Sequence, residues 1–214
     1  CDGEEVVQSS DGEAAKFSKE RIAPMIRDSP VLRAKVKSPR AKEGGNTIEA
    51  KEFPGGHLGI VGATAPVKLR ARPRRIVLFD EVDGYPPSAG DEGDPIELGI
   101  KRTTTFWNRK IGMISTPTVK GASRIENAFQ ESDQRYFLVP CPHCHHEQTL
   151  RFGDESSGFG LKWEPGKPET AKYLCESCGA LISERHKPWM LERGRWQATA
   201  ESPIRGYHLN ALYS

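Results

Sequence analysis

Asp80 and Glu81 stand side by side where a short apolar run ends, in Arg74-Arg75-Ile76-Val77-Leu78-Phe79-Asp80-Glu81-Val82-Asp83. Four consecutive apolar residues fit a strand buried on both faces of a parallel sheet. The carboxyl ends of such strands face the ligand crevice of an open α/β sheet, which would put both carboxylates where a ligand binds. Adjacent carboxylates there can divide two tasks: one holds Mg²⁺ through its water shell, and the other polarises an attacking water. That is the arrangement of a Walker B strand in a nucleotide hydrolase. The same residues also fit an ordinary strand that ends in a solvated acidic turn, and the run alone leaves both readings open.

A second group with chemical potential is Cys141-Pro142-His143-Cys144 and Cys175-Glu176-Ser177-Cys178, two pairs separated by 30 residues. Two such pairs supply the four thiolates of a structural zinc site, each pair presenting both sulfurs to one metal. The separation exceeds the common spacing of about 15 to 20, and an insertion rich in Gly, Glu and Lys at residues 151 to 172 accounts for the difference. Disulfides are the alternative; an intracellular chain disfavours them. A redox C-x-x-C needs one pair, not two. His143, His145 and His146 could substitute as ligands, but four cysteines already close a tetrahedral site, so these histidines are expected at the surface. Cys1 has no evident partner or role. The segment between the pairs has too small a core to fold without its metal.

Val6-Val7 reads as the end of a strand, and Ser10 with Glu13 as a capping box. Ala14, Phe17, Ile22, Met25 and Ile26 form a helical stripe to about Asp28, which Pro24 should kink or break. Val31 to Val36 suits a further short helix, and residues 37 to 46 a polar loop. Thr47 to Phe53 and His57 to Gly62 read as a hairpin around Pro54-Gly55-Gly56, followed by a short connector from Ala63 to Leu69. Lys68, Arg70, Arg72, Arg74 and Arg75 then crowd together, either as a solvated rim or as contacts to the phosphates of a nucleotide or nucleic acid. Asp94-Pro95 opens a helix expected to reach Phe106. Lys110 to Ser115 is a strand ending in Ser115-Thr116-Pro117-Thr118, Ser123 to Ser132 a helix, and Tyr136 to Val139 a third strand. Strand and helix thus alternate from 60 to 140, which argues for a parallel sheet with crossovers.

The 214 residues allow one or two domains. A net charge of +2 is close to balance and does not by itself argue for nucleic acid, so any such case rests on local patches. Hydrophobic content of 36%, with 21 Gly and 16 Pro, predicts sizeable loops around a modest core. No run approaches the roughly 20 apolar residues of a membrane span, and no signal-peptide pattern opens the chain, so a soluble, intracellular protein is expected. Neither end reads as a natural terminus, and a piece of a longer protein is expected.

Leu78 to Pro86, Lys101-Arg102-Thr103-Thr104-Thr105, Ser115-Thr116-Pro117-Thr118, Ser123-Arg124-Ile125-Glu126, Cys141-Pro142-His143-Cys144, Gly194-Arg195-Trp196 and Tyr207-His208-Leu209-Asn210-Ala211 follow in an order that resembles the large terminase subunit of tailed bacteriophages, of the lambda type. The resemblance implies a viral DNA-packaging ATPase of the P-loop class, usually followed by a nuclease domain. It implies that Asp80 is the Walker B Mg²⁺ carboxylate and Glu81 the base aligning the attacking water. Ser115 and Thr116 match a coupling motif that senses the γ-phosphate. Arg70 falls where such motors place a charge-stabilising arginine, with Arg72 as competitor; such a residue is worth about 10³ to 10⁵ in rate. The implied fold is part of an ASCE-type P-loop sheet with flanking helices plus a small zinc ribbon, divided as 1–139, 140–186 and a return segment 187–214. Cys141, Cys144, Cys175 and Cys178 would hold structural Zn²⁺, while ATP and Mg²⁺ serve the parent enzyme.

The implied partners are double-stranded DNA, a small terminase subunit, a portal protein and further copies in a ring, in the host cytoplasm and without a membrane. No G-x-x-x-x-G-K-[ST] occurs in the sequence, so that loop is expected before Cys1 and the nuclease after Ser214, with little ATP turnover from this piece alone. Two alternatives stay open here: a helicase-like or restriction-type translocase, and a non-catalytic zinc-ribbon module that binds nucleic acid or protein.

Overall fold

The computed structural model describes residues 2–36, 45–70, 72–153 and 156–214. Cys1 and most of the polar loop expected at 37–46 lie outside them. The chain divides into two compact units, Cys1–Ile125 and Glu126–Ser214. Among the described residues no helix is long and apolar enough to cross a membrane.

The first unit is built on a five-stranded sheet. Its strands are β1 (Asp2–Gln8), β2 (Ala50–Phe53), β3 (Gly56–Gly62), β4 (Ile76–Asp80) and β5 (Lys110–Ile114), ordered β2-β3-β1-β4-β5. All neighbours are parallel except the β2–β3 hairpin, which turns through Pro54-Gly55 with Gly55 at φ +87. The alternation read from sequence thus gives a parallel sheet with crossovers. β1 and β4 sit side by side where the strand order reverses, the place at which open α/β sheets bind ligands.

Both faces of the sheet carry helices. On one, Ala14 and Ile22 pack on Ile60, with Phe17, Ile26 and Leu58 around them. Ala14, Phe17, Ile22 and Ile26 come from α1 (Asp11–Phe17) and the helical turns that continue it into α2 (Ala23–Asp28), and Leu58 and Ile60 from β3. Pro24 does not break that helix. Ser18–Ile22 widens into a π turn in which the Ala23 amide donates to the Ser18 carbonyl, making room for a residue without an N–H and with a bulky ring. Pro30–Lys35 forms the expected short helix, α3. On the opposite face, Leu69 of α4 (Pro66–Arg70) and Ile96 of α5 (Pro95–Lys101) pack with Val7, Val61, Val77 and Phe79. Gly99 is required there, because a Cβ would lie 2.6 Å from the Phe79 ring.

Three expectations need correction. The apolar run of β4 is buried on one face only: Val77 and Phe79 are fully buried, but Leu78 is 41% exposed. Beside it, on the same face as Leu78, the outermost strand β5 leaves Ile114 exposed, so a helix layer covers only part of that face. α5 stops at Lys101 rather than Phe106, because the Thr103 and Thr104 hydroxyls donate to the Ile100 and Lys101 carbonyls and end the helix locally. The strand expected at Tyr136 to Val139 exists as β6 (Arg135–Pro140), but it pairs outside the parallel sheet.

β6 belongs to the second unit, whose first helix residues end α6 (Arg124–Gln130). It pairs antiparallel with β7 (Glu147–Thr149), and β8 (Gly160–Glu164), β9 (Lys167–Leu174) and β10 (Leu181–Ile182) form a separate antiparallel sheet. α7 (Lys187–Glu192) follows, and β11 (Arg195–Gln197) and β12 (Tyr207–His208) add to β6 on either side. The core of this unit gathers Val139, Cys141, Leu150, Tyr173, Cys175, Ile182 and Met190.

Candidate functional site

The carboxyl edge of the parallel sheet brings together Gln8 from β1, Asp80 from β4 and Ser115 beyond β5. The register pairs Val7 with Phe79, so Gln8 stands next to Asp80 and its Nε2 donates to Asp80 Oδ2 at 2.9 Å. Gln8 itself is buried. Immediately beyond it, Ser10 caps α1 by accepting from the Glu13 amide at 3.2 Å; the Glu13 carboxylate lies 4.0 Å from Lys16. Asp11 Oδ1 accepts from the Gly62 amide at 3.1 Å, a close approach that demands glycine, since a Cβ at 62 would lie 2.2 Å from Asp11 N. The ends of β1 and β3 are thereby tied together.

Glu81 is exposed and adopts φ 56, ψ 51, a left-handed conformation uncommon for a residue with a side chain. A 3₁₀ turn, Val82–Gly84, follows, with Val82 fully buried and the Gly84 amide donating to the Glu81 carbonyl at 2.9 Å. Tyr85 closes the turn: its hydroxyl donates to the Val7 carbonyl at 2.6 Å, and burial pushes its pKa up. Asp83, inside the turn, accepts from the Thr118 amide (2.9 Å), the Thr118 hydroxyl (3.0 Å) and the Ile125 amide (2.9 Å). Burial works to raise its pKa, yet these donors and the Ser123 hydroxyl hold it at about 2. The Asp83 amide in turn donates to Ser115 Oγ at 3.2 Å. Ser115 is thus tied to the acidic turn, while Thr116 is exposed on the loop beyond it.

The basic segment is neither a plain solvated rim nor a bare phosphate cradle. Lys68 bridges Asp11 and Glu49 at 3.1 and 2.9 Å. Arg70 pairs with Glu92 at 2.6 Å rather than with the acidic pair, and Arg72 is exposed. Arg74 and Arg102 grip the buried Glu5 at 3.0 and 2.6 Å. Burial pushes the Glu5 carboxyl up against the pull of Arg102 and Arg74. Arg102 also donates to the Arg72 and Lys68 carbonyls at 2.6 and 3.2 Å, which fixes the backbone on both sides of Arg70.

In the second unit the sulfurs of Cys141, Cys144, Cys175 and Cys178 all lie within 4.8 Å of one another. Cys141 to Cys178 is 3.9 Å and Cys144 to Cys175 is 3.8 Å. A disulfide needs about 2.05 Å. Tetrahedral bonds of about 2.3 Å to one zinc ion would set sulfurs about 3.8 Å apart, so the donor set fits that metal. Burial pushes the Cys141 thiol up to about 12, whereas the His146 amide beside Cys144 lowers that thiol to about 7. A divalent cation is what would let all four ionise together. His143, His145 and His146 are exposed, with His146 3.0 Å from Glu176.

Gln8, Asp83, Glu5 and Arg102 escaped the reading of the sequence. Two of them left a trace there without a role: Asp83 in the acidic cluster after β4, and Arg102 in the Lys101 to Thr105 run.

A family model described as "Phage terminase large subunit gpA, ATPase domain" matches residues 5–196. Among curated proteins, the terminase large subunit of Enterobacteria phage P21 is 38% identical over 192 residues, covering 88% of this chain and 29% of that protein. The terminase large subunit of Escherichia phage lambda is 37% identical over 179 residues, covering 82% and 28%. The chain therefore spans less than a third of the length of either relative.

Proposed function

The chain belongs to the gpA family of phage terminase large subunits, within the ATPase domain, and from that membership we propose that its parent protein is a DNA-packaging motor coupling ATP hydrolysis to the movement of double-stranded DNA into a procapsid. DNA cleavage would belong to a part of the parent outside these residues. The small terminase subunit, the portal protein and a ring of further copies are the proposed partners, in the host cytoplasm.

One observation carries the reading of the site: Asp80, Glu81 and Ser115 share the carboxyl edge of a parallel sheet, with Asp80 braced by Gln8 at the strand-order reversal. Mg²⁺, bound with ATP, would supply neutralisation of phosphate charge. Asp80 would hold that ion through its water shell, its side chain oriented by the Gln8 amide. Glu81, exposed at the end of β4, would orient the attacking water and take its proton. Ser115 and Thr116 would sense the terminal phosphate. Arg70 at the end of α4 would stabilise charge on the transferring phosphoryl group, after leaving Glu92, with Arg72 the competitor for that role. The sequence holds no P-loop, so turnover is proposed for the parent and not for this segment alone.

Functionally, residues 1–139 would serve the motor, 140–186 a zinc ribbon on Cys141, Cys144, Cys175 and Cys178, and 187–214 a return segment. The fit of the four sulfurs to tetrahedral spacing supports zinc.

The test is Glu81→Gln in the full-length large subunit. DNA-stimulated ATP turnover should fall by at least about 10³-fold while nucleotide still binds. Turnover at the unmodified rate would overturn the assignment.

A further inference from the structure

The turn after β4 and the loop after the neighbouring strand β5 meet on a single side chain. Asp83 accepts from both the amide and the hydroxyl of Thr118, and from the Ile125 amide at the start of α6. Its own amide donates to Ser115 Oγ. These bonds run in both directions between 82–84 and 115–118. A lone carboxylate taking several donors, two of them backbone amides, is a rigid joint, because charge-assisted bonds are shorter and stronger than neutral ones. The same 3₁₀ turn holds Glu81 in its left-handed conformation through the Gly84 amide. Glu81 and Thr116 are both exposed, and Asp83 links the turn that bears the one to the loop that bears the other.

We propose that Asp83 is a positioning residue that makes the turn bearing Glu81 and the loop bearing Ser115 and Thr116 move as one body. This rests on the motor reading given above and adds to it. If Thr116 senses the terminal phosphate, its displacement reaches Glu81 through Asp83, so the water-orienting carboxylate is aligned only when the sensing loop is in place. Hydrolysis and the loop's movement are then locked to each other. Thr118 is the partner through which the loop is held, by one bond from its backbone and one from its hydroxyl.

The experiment uses the full-length large subunit with its small subunit, procapsids and linear DNA. It measures ATP kcat, ATP KM and base pairs packaged per ATP consumed. Asp83→Asn keeps the shape but turns one acceptor oxygen into an N–H facing other donors. The expected result is a fall in kcat of about 30- to 100-fold, ATP KM within about twofold of the parent, and fewer base pairs moved per ATP. Thr118→Val removes only the hydroxyl donor; about a three- to tenfold drop in base pairs per ATP is expected, and Thr118→Ser should restore the parent value.

A purely structural role would lower thermal stability without changing the ratio of DNA moved to ATP consumed. If Asp83→Asn does not fold, the Thr118 pair decides by itself. Inactive Glu81→Gln together with parental kcat and coupling in Asp83→Asn and Thr118→Val would overturn this inference and leave the motor reading standing. A fully active Glu81→Gln would instead overturn the motor reading.

Discussion

In the first unit, Asp80 and Ser115 are held by a five-stranded sheet whose strands bury Val7, Val61, Val77 and Phe79 under α4 and α5. In the second unit, the four cysteines sit on turns between strands as short as the two residues of β10 and the three of β7. Its core includes two of the cysteines themselves, Cys141 and Cys175. The first unit positions polar groups by burial plus a hydrogen-bonded carboxylate. The second has its potential metal ligands doing part of the work of a core. A folded scaffold can carry an exposed glutamate in an uncommon backbone conformation, whereas a small one has to draw stability from the site it presents.

The largest break in that contrast should come from metal. Zinc binding to small domains of this kind contributes about 10 to 16 kcal/mol of folding free energy. Chelation, or Cys175→Ser, should therefore unfold the second unit and leave the first intact. Tryptophan emission checks this: Trp189 and Trp196 pack against neighbours in the second unit, while Trp107 in the first is 96% exposed and reports little. A second unit that still melts cooperatively after chelation would remove the contrast.

Next in size is Glu5→Ala. It strands Arg74 and Arg102, which are 8% and 6% exposed, without their carboxylate. Losing one partner of a buried ionic group costs about 3 to 5 kcal/mol, here confined to the first unit. Urea unfolding of the segment reads it; a cost below about 1 kcal/mol would mean that the burial of hydrophobic side chains alone holds this sheet.

The smallest effect is one of pH. The Asp83 carboxyl sits at about 2 against an ordinary 3.8, so its contribution is complete above about pH 4 and is lost as pH falls towards 2. The full shift corresponds to at most about 2 kcal/mol, less because the residue is partly solvated. Comparing acid unfolding of the parent with Asp83→Asn checks it: the stability difference should shrink across that window. A difference that persists unchanged below pH 2 would assign the effect to packing.

Much of this architecture was legible along the chain. The hairpin, the Asp94-Pro95 helix start, the strands flanking the acidic pair and the two cysteine knuckles all follow from local pattern, because each depends on residues a few positions apart. What was hidden depends on pairing at a distance. Gln8 meets Asp80 across 72 residues, Glu5 meets Arg102 across 97, and Asp83 meets Thr118 across 35. No local period announces such partners; they are set by which strands lie side by side and in what register. β6 shows the same limit. Its residues read correctly as a strand, but the sheet it joins is decided by β7, β11 and β12. Leu78 also misled, since an apolar run does not say whether anything covers its second face.

That uncovered strip has a practical meaning for anyone handling the segment in solution. Among the described residues no strand pairs the outer edge of β5, which leaves a row of backbone donors and acceptors open, with Ile114 and the neighbouring Leu78 exposed on one face and Ile111 on the other. Lys110, at its first residue, is the one charge on the strand. Natural edges are usually blunted by charge, proline or a bulge, and an apolar edge that lacks these invites another strand to pair with it. Concentrated samples of this chain should accordingly add strands through β5, giving cross-strand aggregates whose growth depends on concentration far more than on salt.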